Sequence, residues 1–280
     1  MLQSGSPGRI SRRDVLKGLA AAAIGGSAGA VAHGYWYERF HVGLTRETLD
    51  VSGLPSALSG LRIGFITDLH RSDTVTHDLI DSAVQLLMTE SPDLIVLGGD
   101  YVTWGDRRFV GPAADALAPL TAPHGVFAVL GNHDNDHDMP PALAAKGFVV
   151  LRDARTRLTI RGETLDLAGV RFWTRKPSEI AYVLRGAAPN VILLAHTPMR
   201  LVEAAALAVP LVLSGHTHGG QIVLPGIGAV AAREFPVIAG AGRRENTKIF
   251  VSRGVGTVYV PVRLNCPPEV AVLTLRPVES

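Results

Sequence analysis

The chain of 280 residues contains a single cysteine, Cys266, which excludes an intramolecular disulfide and a thiolate metal cluster. Its formal net charge is only +2, which is too small for a protein that binds nucleic acid mainly through charge. Internal repeats and low-complexity segments are also missing from the body of the sequence. With 47% apolar and 19% charged residues, the composition is that of a globular protein long enough to bury a large core.

The first 32 residues are predicted to be a targeting segment. Ser11-Arg12-Arg13-Asp14-Val15-Leu16-Lys17, followed by an Ala- and Gly-rich stretch, resembles a twin-arginine export signal, although Val15 stands where that pattern prefers Phe. The apolar stretch is about 15 residues long, shorter than the roughly 20 that span a membrane. Ala30-Val31-Ala32 offers a cleavage site. The resemblance implies the twin-arginine translocation machinery as a partner and a periplasmic or cell-envelope location. An uncleaved N-terminal anchor, with association at the membrane surface, and an ordinary helix are the alternatives.

Residues 33–60 are predicted to be an approach segment that leads into a single domain at 61–280. Apolar runs predict strands at 61–67, 94–97, 126–130, 191–194, 209–213, 248–252 and 269–275. Helical spacing predicts helices after the first two strands and around 177–184 and 199–207. Short apolar runs between 147 and 172 are separated by polar turns, which predicts an antiparallel stretch. The alternation of strands and helices, followed by a strand-rich half, predicts an α/β domain whose sheets are covered by helices.

Residues that can bind metals follow five of these strands. They are Asp68, His70, Asp100, Asn132, His133, His196, His216 and His218. Each has an ordinary alternative: either aspartate could cap a helix, His196 could be a hydrogen-bonded core residue, and Asn132 could be a turn residue. Because ligand sites of open α/β sheets lie at the carboxyl ends of strands, their joint occurrence predicts one site.

The segment 214–221, Ser-Gly-His-Thr-His-Gly-Gly-Gln, carries two of these histidines. A regular strand cannot direct both rings at one atom, but Gly215, Gly219 and Gly220 allow the chain to turn there. The complete donor set contains oxygen and nitrogen without sulfur, which suits Mn²⁺, Fe or Zn²⁺. Leaving His133 aside, seven ligands are too many for one ion, and they suit two ions about 3.5–4 Å apart that share one carboxylate.

The ordered motifs Asp-x-His (68–70), Gly-Gly-Asp (98–100), Gly-Asn-His-Asp (131–134), His196 and Gly-His-Thr-His (215–218) resemble those of calcineurin-like metallophosphoesterases. The segment 263–269 resembles the tail of the bacterial exported subgroup. The resemblance implies an αββα sandwich, in which two mixed sheets lie face to face with helices outside.

The same resemblance implies a role for each motif residue. Asp68, His70 and His218 would bind the first metal; Asn132, His196 and His216 would bind the second; Asp100 would bridge the two. His133 would contact the phosphate and protonate the leaving group, and Asp134 would set the charge and tautomer of His133. The implied reaction is in-line attack of a metal-bound hydroxide on a phosphoester.

The leading function is an exported phosphodiesterase acting on an envelope or phospholipid-like phosphodiester. The alternatives are a hydrolase of a UDP-linked diacylglucosamine, a phosphomonoesterase, and a metal-binding scaffold without turnover. The loops at 101–109 and 226–246 are candidates for substrate choice, through arginines such as Arg107, Arg108 and Arg233 or aromatic residues such as Trp104 and Phe235.

Overall fold

Two six-stranded mixed β-sheets form the centre of the fold. The computed structural model describes residues 25–278. The strands are β1 (Gly43–Val51), β2 (Arg62–Ile66), β3 (Leu94–Leu97), β4 (Val126–Ala128), β5 (Val149–Val150), β6 (Ala154–Ile160), β7 (Glu163–Val170), β8 (Val191–Ala195), β9 (Leu211–Ser214), β10 (Val223–Leu224), β11 (Gly228–Ala229), β12 (Gly240–Arg244), β13 (Thr247–Val251) and β14 (Glu269–Pro277). The helices are α1 (residues 25–36), α2 (His77–Met88), α3 (Val110–Leu117), α4 (Met139–Ala144), α5 (Pro177–Val183) and α6 (Leu201–Ala206).

The first sheet has the strand order β1-β14-β2-β3-β4-β5, and the second has the order β12-β13-β9-β8-β7-β6. Strands β2 to β5 run parallel, as do β7, β8, β9 and β13. Antiparallel partners are β14 beside β2, β12 beside β13, and β6 beside β7. Because parallel strands of one sheet end at the same edge, each sheet places the loops that follow its strands on one rim.

The two sheets pack face to face through a buried apolar layer. Phe65 and Phe127 from the first sheet lie in the same cluster as Leu194 and Phe250 from the second. A second cluster covers the outer face of the first sheet with α2, α3 and α4, and a third covers the second sheet with α5 and α6. The predicted αββα sandwich with two mixed sheets is therefore confirmed.

Segment 33–60, predicted to lead into the domain, instead contains β1, which pairs in parallel with β14 at the edge of the first sheet. Edge strands commonly carry charged residues. In this strand Arg46, Glu47 and Asp50 interrupt the apolar pattern, so the pattern did not predict the strand. The antiparallel prediction holds for β6 and β7 but is wrong for β5, which pairs in parallel with β4. A strand of two residues is too short for its sequence pattern to show whether it runs parallel or antiparallel to its neighbour.

The chain before β1 is fixed to the body of the protein. The carbonyl of Gly34 accepts a hydrogen bond from the nitrogen of Arg263, and the carboxylate of Glu38 accepts from the nitrogens of Asn265 and Cys266. The predicted twin-arginine motif at 11–17 lies outside the described residues, and the predicted cleavage position, Ala32, lies within α1. Within residues 25–278, no helix has both the length and the apolar character to cross a membrane.

Candidate dinuclear metal centre

The predicted metal ligands all follow the ends of parallel strands. Asp68 and His70 follow β2, Asp100 follows β3, Asn132 follows β4, His196 follows β8, and His216 and His218 follow β9. These five strands belong to two different sheets, and the face-to-face packing of the sheets brings their ends to a common rim. The fold therefore places side chains from distant parts of the sequence beside one another.

Six of these side chains form two groups of three. We call Asp68, His70 and His218 the first triad, and Asp100, His196 and His216 the second triad. Within each triad, one potential ligand atom from each residue lies within 4.8 Å of the others. In the first, Nε2 of His218 lies 3.0 Å from Nε2 of His70. In the second, Nε2 of His196 lies 3.1 Å from Oδ2 of Asp100. Each triad has the donor set of a metal site.

Asp100 lies between the two triads. Its Oδ2 is 3.1 Å from Nε2 of His196 in the second triad and 3.5 Å from Nε2 of His70 in the first. Asp68 of the first triad in turn lies 3.9 Å from Nε2 of His196. The two triads are thus adjacent, and Asp100 has the position that a shared carboxylate needs. Its role as a bridging ligand stays a prediction.

The amide oxygen of Asn132 supports a cation at the second triad. Oδ1 of Asn132 is buried, and it has no hydrogen-bond partner within residues 25–278. A buried acceptor without a partner is rare in folded proteins, because the loss of its hydration is not compensated. A metal ion would satisfy this oxygen, and the role of Asn132 as a metal ligand stays a prediction.

The protonation of His196 also indicates a cation. Its Nδ1 donates to the carbonyl of Gly98 at 2.8 Å, so the lone pair of the neutral ring faces the carboxylate of Asp100. Burial opposes a charge on either group, but their mutual attraction is larger: it raises the pKa of His196 to about 10 and lowers the pKa of Asp100. A bound metal would replace this proton and remain between the same two groups.

Two other histidines of the triads are in the neutral form that can bind a metal. Burial lowers the pKa of His70 to about 3, and burial together with the charge of His196 lowers the pKa of His216 to about 3. Both rings are therefore neutral at physiological pH, and only the neutral ring can coordinate a metal. The residues present fit two divalent ions.

The backbone at the site is strained. Five of the seven predicted ligands have φ between 48° and 72°, in the left-handed region that residues other than glycine seldom adopt: Asp68, His70, Asp100, His216 and His218. Such a conformation costs of order 1–3 kcal/mol per residue, and it persists only where surrounding contacts enforce it. Here the nitrogen of Asp68 donates to the carbonyl of Gly99, and that of His70 to the carbonyl of Asp100. This conformation turns the side chains toward the rim.

Two glycines allow the loops to approach closely. At Gly99, which has φ of 99°, a Cβ atom would lie 2.5 Å from the nitrogen of Gly131 and 2.9 Å from Nδ1 of His196. At Gly131, a Cβ atom would overlap the carboxylate of Asp100. A larger residue at either position would separate the loop after β3 from the loop after β4, and at Gly99 it would also displace His196.

Comparisons with known proteins agree with this geometry. The family model described as calcineurin-like phosphoesterase matches residues 61–220, which is more than half of the chain.

The chain belongs to the calcineurin-like phosphoesterases.

Among its relatives, Phosphodiesterase YaeI of Escherichia coli is 34% identical over 76% of this chain and 82% of its own length. YkuE of Bacillus subtilis, named an uncharacterized metallophosphoesterase, is 30% identical over 96% of this chain and 98% of its own length. The solved structure of Haemophilus influenzae NAD nucleotidase (NadN) aligns with a TM-score of 0.51 at 14% identity. That alignment covers 70% of this chain but only 45% of NadN, and it shows likeness of fold alone.

His133 of this phosphoesterase lies beside both triads without belonging to either. Its ring is nearly buried and packs against Trp104, with ring centroids 4.3 Å apart. Nδ1 of His133 lies 3.2 Å from the backbone nitrogen of Trp104. Because an amide nitrogen only donates, Nδ1 accepts, and the neutral ring carries its proton on Nε2. Burial lowers the pKa of His133, which favours this neutral form.

The carboxylate of Asp134 has hydrogen-bond partners other than the predicted one. We predicted that it sets the charge and tautomer of His133, but the backbone amide described above occupies that position. The carboxylate of Asp134 instead accepts hydrogen bonds from the backbone nitrogens of Asp100, Tyr101 and Gly131, at 2.8, 2.7 and 2.9 Å. Buried backbone N–H groups need acceptors, and one carboxylate satisfies three of them. Asp134 therefore joins the loops after β3 and β4.

Arg263 lies next to the metal centre, and the sequence did not predict this position. It is fully buried and donates to the carbonyls of Arg253, Gly254, Gly256 and Cys266, with its Nη2 3.4 Å from Nδ1 of His218.

Cys266 packs against the same loop, and its Sγ donates to the carbonyl of His218 at 3.2 Å. Phe172, also not predicted, lies beside His216 with centroids 5.3 Å apart. The sequence does not distinguish Phe172 from other aromatic residues, and the resemblance of segment 263–269 to the subgroup tail gave Arg263 no role.

The arginines predicted as substrate contacts are paired within the protein. Arg107 forms an ion pair with Asp138, and Arg108 forms one with Asp106. Arg233 donates to carbonyls of its own loop. Phe235, in contrast, lies 5.1 Å from the ring of His216, so the loop at 226–246 reaches the metal centre through an apolar side chain.

Proposed function

We propose that this protein is a phosphodiesterase that depends on two divalent metal ions. The observation that carries the proposal is the pair of adjacent triads with Asp100 between them. The 34% identity to a relative named a phosphodiesterase supports the same reaction class. The fold of the family and its ordered motifs support hydrolysis of a phosphoester rather than metal storage.

The proposed ligands divide between the two ions. Asp68, His70 and His218 hold one, Asn132, His196 and His216 hold the other, and Asp100 is shared. Two bound ions would supply positive charge to phosphoryl oxygens and lower the pKa of water enough for it to act as a nucleophile near neutral pH. Mn²⁺, Fe and Zn²⁺ all suit this donor set.

His133 supplies the proton in this proposal. Because its Nδ1 accepts from the backbone of Trp104, its Nε2 carries the proton; this proton can be donated to the oxygen of the leaving alcohol while the ring takes up another proton from solvent, so that no imidazolate remains. Its ring is held by Trp104 on one side and lies 4.8 Å from the ring of His70 on the other. This packing fixes the orientation of the donor before substrate binds.

A diester is favoured over a monoester because two cavities share one wall: His216 and His218 of the metal centre line one, and Thr103 and Trp104, which contact His70 and His133, line the other. A diester has two substituents on its phosphorus and can fill both. The test is to compare hydrolysis of bis-p-nitrophenyl phosphate and p-nitrophenyl phosphate after loading with Mn²⁺ or Zn²⁺. We expect a higher kcat/KM for the diester and loss of activity with a chelator. A preference for the monoester would contradict the assignment.

We further propose that the protein acts in the cell envelope after twin-arginine export. The motif at 11–17 supports this location, which suits a phospholipid-like substrate. Replacing Arg12 and Arg13 by lysine, followed by cell fractionation, tests it: we expect the protein to remain inside. Unchanged export of the double variant would contradict the proposal.

A further inference from the structure

An apolar cavity of about 420 Å³ opens directly beside the metal centre. His216 and His218 line one end, so a phosphate bound at the triads would lie at its entrance. The remaining wall is largely aliphatic and aromatic; it includes Ile222, Val230, Phe235, Val258, Tyr259 and Val260. We call this the apolar pocket. Its volume falls within the range of small-molecule sites.

The polar side chains of this wall are occupied by hydrogen bonds within the protein. The hydroxyl of Thr217 donates to the carbonyl of Ile238 at 2.6 Å. The amide of Gln221 donates to the carbonyls of Val258 and Val260 and accepts from the nitrogen of Val258. These groups therefore cannot form hydrogen bonds with the polar edge of a nucleobase or a sugar unless their existing hydrogen bonds within the protein break.

The charge of the pocket also limits its occupant. Among the residues that line it in the described part of the chain there is no lysine or arginine, and the one carboxylate, that of Glu234, belongs to an exposed residue. A second phosphate or an acidic sugar would meet no cation here. The pocket is suited to a neutral, apolar group.

A second cavity, of about 270 Å³, has the opposite character. Val258, Tyr259 and Val260 line both cavities and form the wall between them. The other residues that line the second cavity include four with hydroxyl groups, Ser72, Thr74, Thr103 and Thr257, together with Asp73 and Trp104. The two substituents of a phosphodiester would thus meet unlike surroundings, one apolar and one rich in hydroxyls.

We propose that the apolar pocket binds an alkyl or acyl chain carried by one substituent of the substrate, so that the enzyme selects amphiphilic phosphodiesters. The inference rests on the proposed phosphodiesterase activity and specifies its substrate class. The alkyl chain enters between Val230 and Tyr259 while the phosphate lies at the triads, and the more polar substituent faces the hydroxyl-rich cavity.

A series of alkyl p-nitrophenyl phosphates, from methyl to octyl, tests the proposal because the leaving group stays constant. Burial of each methylene is expected to raise kcat/KM by about three- to fourfold until the pocket is filled. Thymidine 5′-p-nitrophenyl phosphate provides the nucleotide comparison, and we expect the octyl ester to be the better substrate.

Val230→Asp places a charge in the pocket wall at a half-exposed position, away from the metal ligands. We expect the ratio of octyl to methyl kcat/KM to fall by about tenfold or more, since the chain would then lie against a hydrated carboxylate. Val202→Asp makes the same change at a similarly exposed valine on α6 and is the matched control. Its octyl-to-methyl ratio should equal that of the wild type.

Calorimetric titration of the full chain with methyl- to octylphosphonate provides a readout that needs no turnover. Affinity should rise with chain length in the wild type and in Val202→Asp, but not in Val230→Asp. Equal affinity along the series, or a preference for the thymidine ester, would overturn the pocket assignment and leave the proposed reaction standing. Chain-dependent binding without hydrolysis of any diester would support the pocket and contradict the proposed function.

Discussion

Replacement of His133 by alanine separates proton donation from metal binding. The side chain of His133 belongs to neither triad, whereas its backbone nitrogen donates to Oδ1 of Asp100 at 2.8 Å. The substitution removes the ring and keeps this backbone hydrogen bond. We therefore expect both metals to remain bound and the fold to be retained.

The expected magnitude depends on the leaving group. General acid catalysis contributes typically about 10²- to 10⁴-fold, and its contribution is largest for a leaving group that is a poor anion. We expect His133→Ala to lower kcat/KM by roughly this factor for a dialkyl phosphate and by much less for bis-p-nitrophenyl phosphate, because p-nitrophenolate leaves without a proton. The loss of stability should be about 1 kcal/mol, from the single hydrogen bond with the backbone of Trp104.

The assay compares the two substrates at equal metal content, with phosphorus NMR for the dialkyl ester and absorbance for the nitrophenyl ester. His137→Ala is the control, since His137 is an exposed histidine in the same loop and pairs with Asp138. An equal loss on both substrates would refute proton donation and assign His133 to phosphate binding. Loss of metal in His133→Ala would refute its separation from the triads.

Three other substitutions test the shared carboxylate, the packing beside the site and an ion-pair cluster of the second sheet. Asp100→Asn should lower the metal content measured by mass spectrometry from two ions to one or none, because the carboxylate facing both triads is lost; a full complement would contradict its shared position. Arg263→Met should lower the free energy of unfolding in urea by roughly 3–5 kcal/mol, since buried carbonyls lose their donors; an unchanged midpoint would contradict this role. Burial opposes ionisation of Asp166, but hydrogen bonds from Arg157 and the charge of Arg155 outweigh it and lower its pKa, so Asp166→Asn should cost roughly 2–3 kcal/mol at neutral pH. Because the folded-state pKa is the lower one, the stability difference between the wild type and this variant should be complete above about pH 4 and disappear as the pH falls further; a difference that grows on acidification would contradict it.

The family resemblance implied the sandwich, whereas the α/β domain and the convergence of the metal-binding residues could be predicted from the apolar pattern for one physical reason. Buried parallel strands are short apolar runs that can be recognised individually, and their carboxyl ends must lie at a common edge. Asp68 and Asp100 follow neighbouring strands of one sheet, so their proximity follows from strand order, whereas His196 follows a strand of the second sheet and meets them because the sheets pack face to face. The edge strand β1 lacked this signal because its polar residues face solvent.

The remaining features depend on contacts between segments that are distant in sequence. The acceptor role of His133 is set by a backbone amide, which any residue except proline would supply at position 104. Asp and His adopt a left-handed φ more often than most residues do, but the residue type alone does not predict it at Asp68 and His216, where the surrounding packing enforces it. Arg263 and the apolar pocket require the 253–266 segment to fold back across the loop after β9. A pattern of single residues could not predict any of these arrangements.

The central claim is that two ions lie at the adjacent triads, with Asp100 between them. Anomalous diffraction from crystals of the Mn²⁺-loaded protein tests it most directly. We expect two peaks, one in contact with Asp68, His70 and His218, the other with Asn132, His196 and His216, and both in contact with Asp100. A single peak, or peaks away from these side chains, would contradict it.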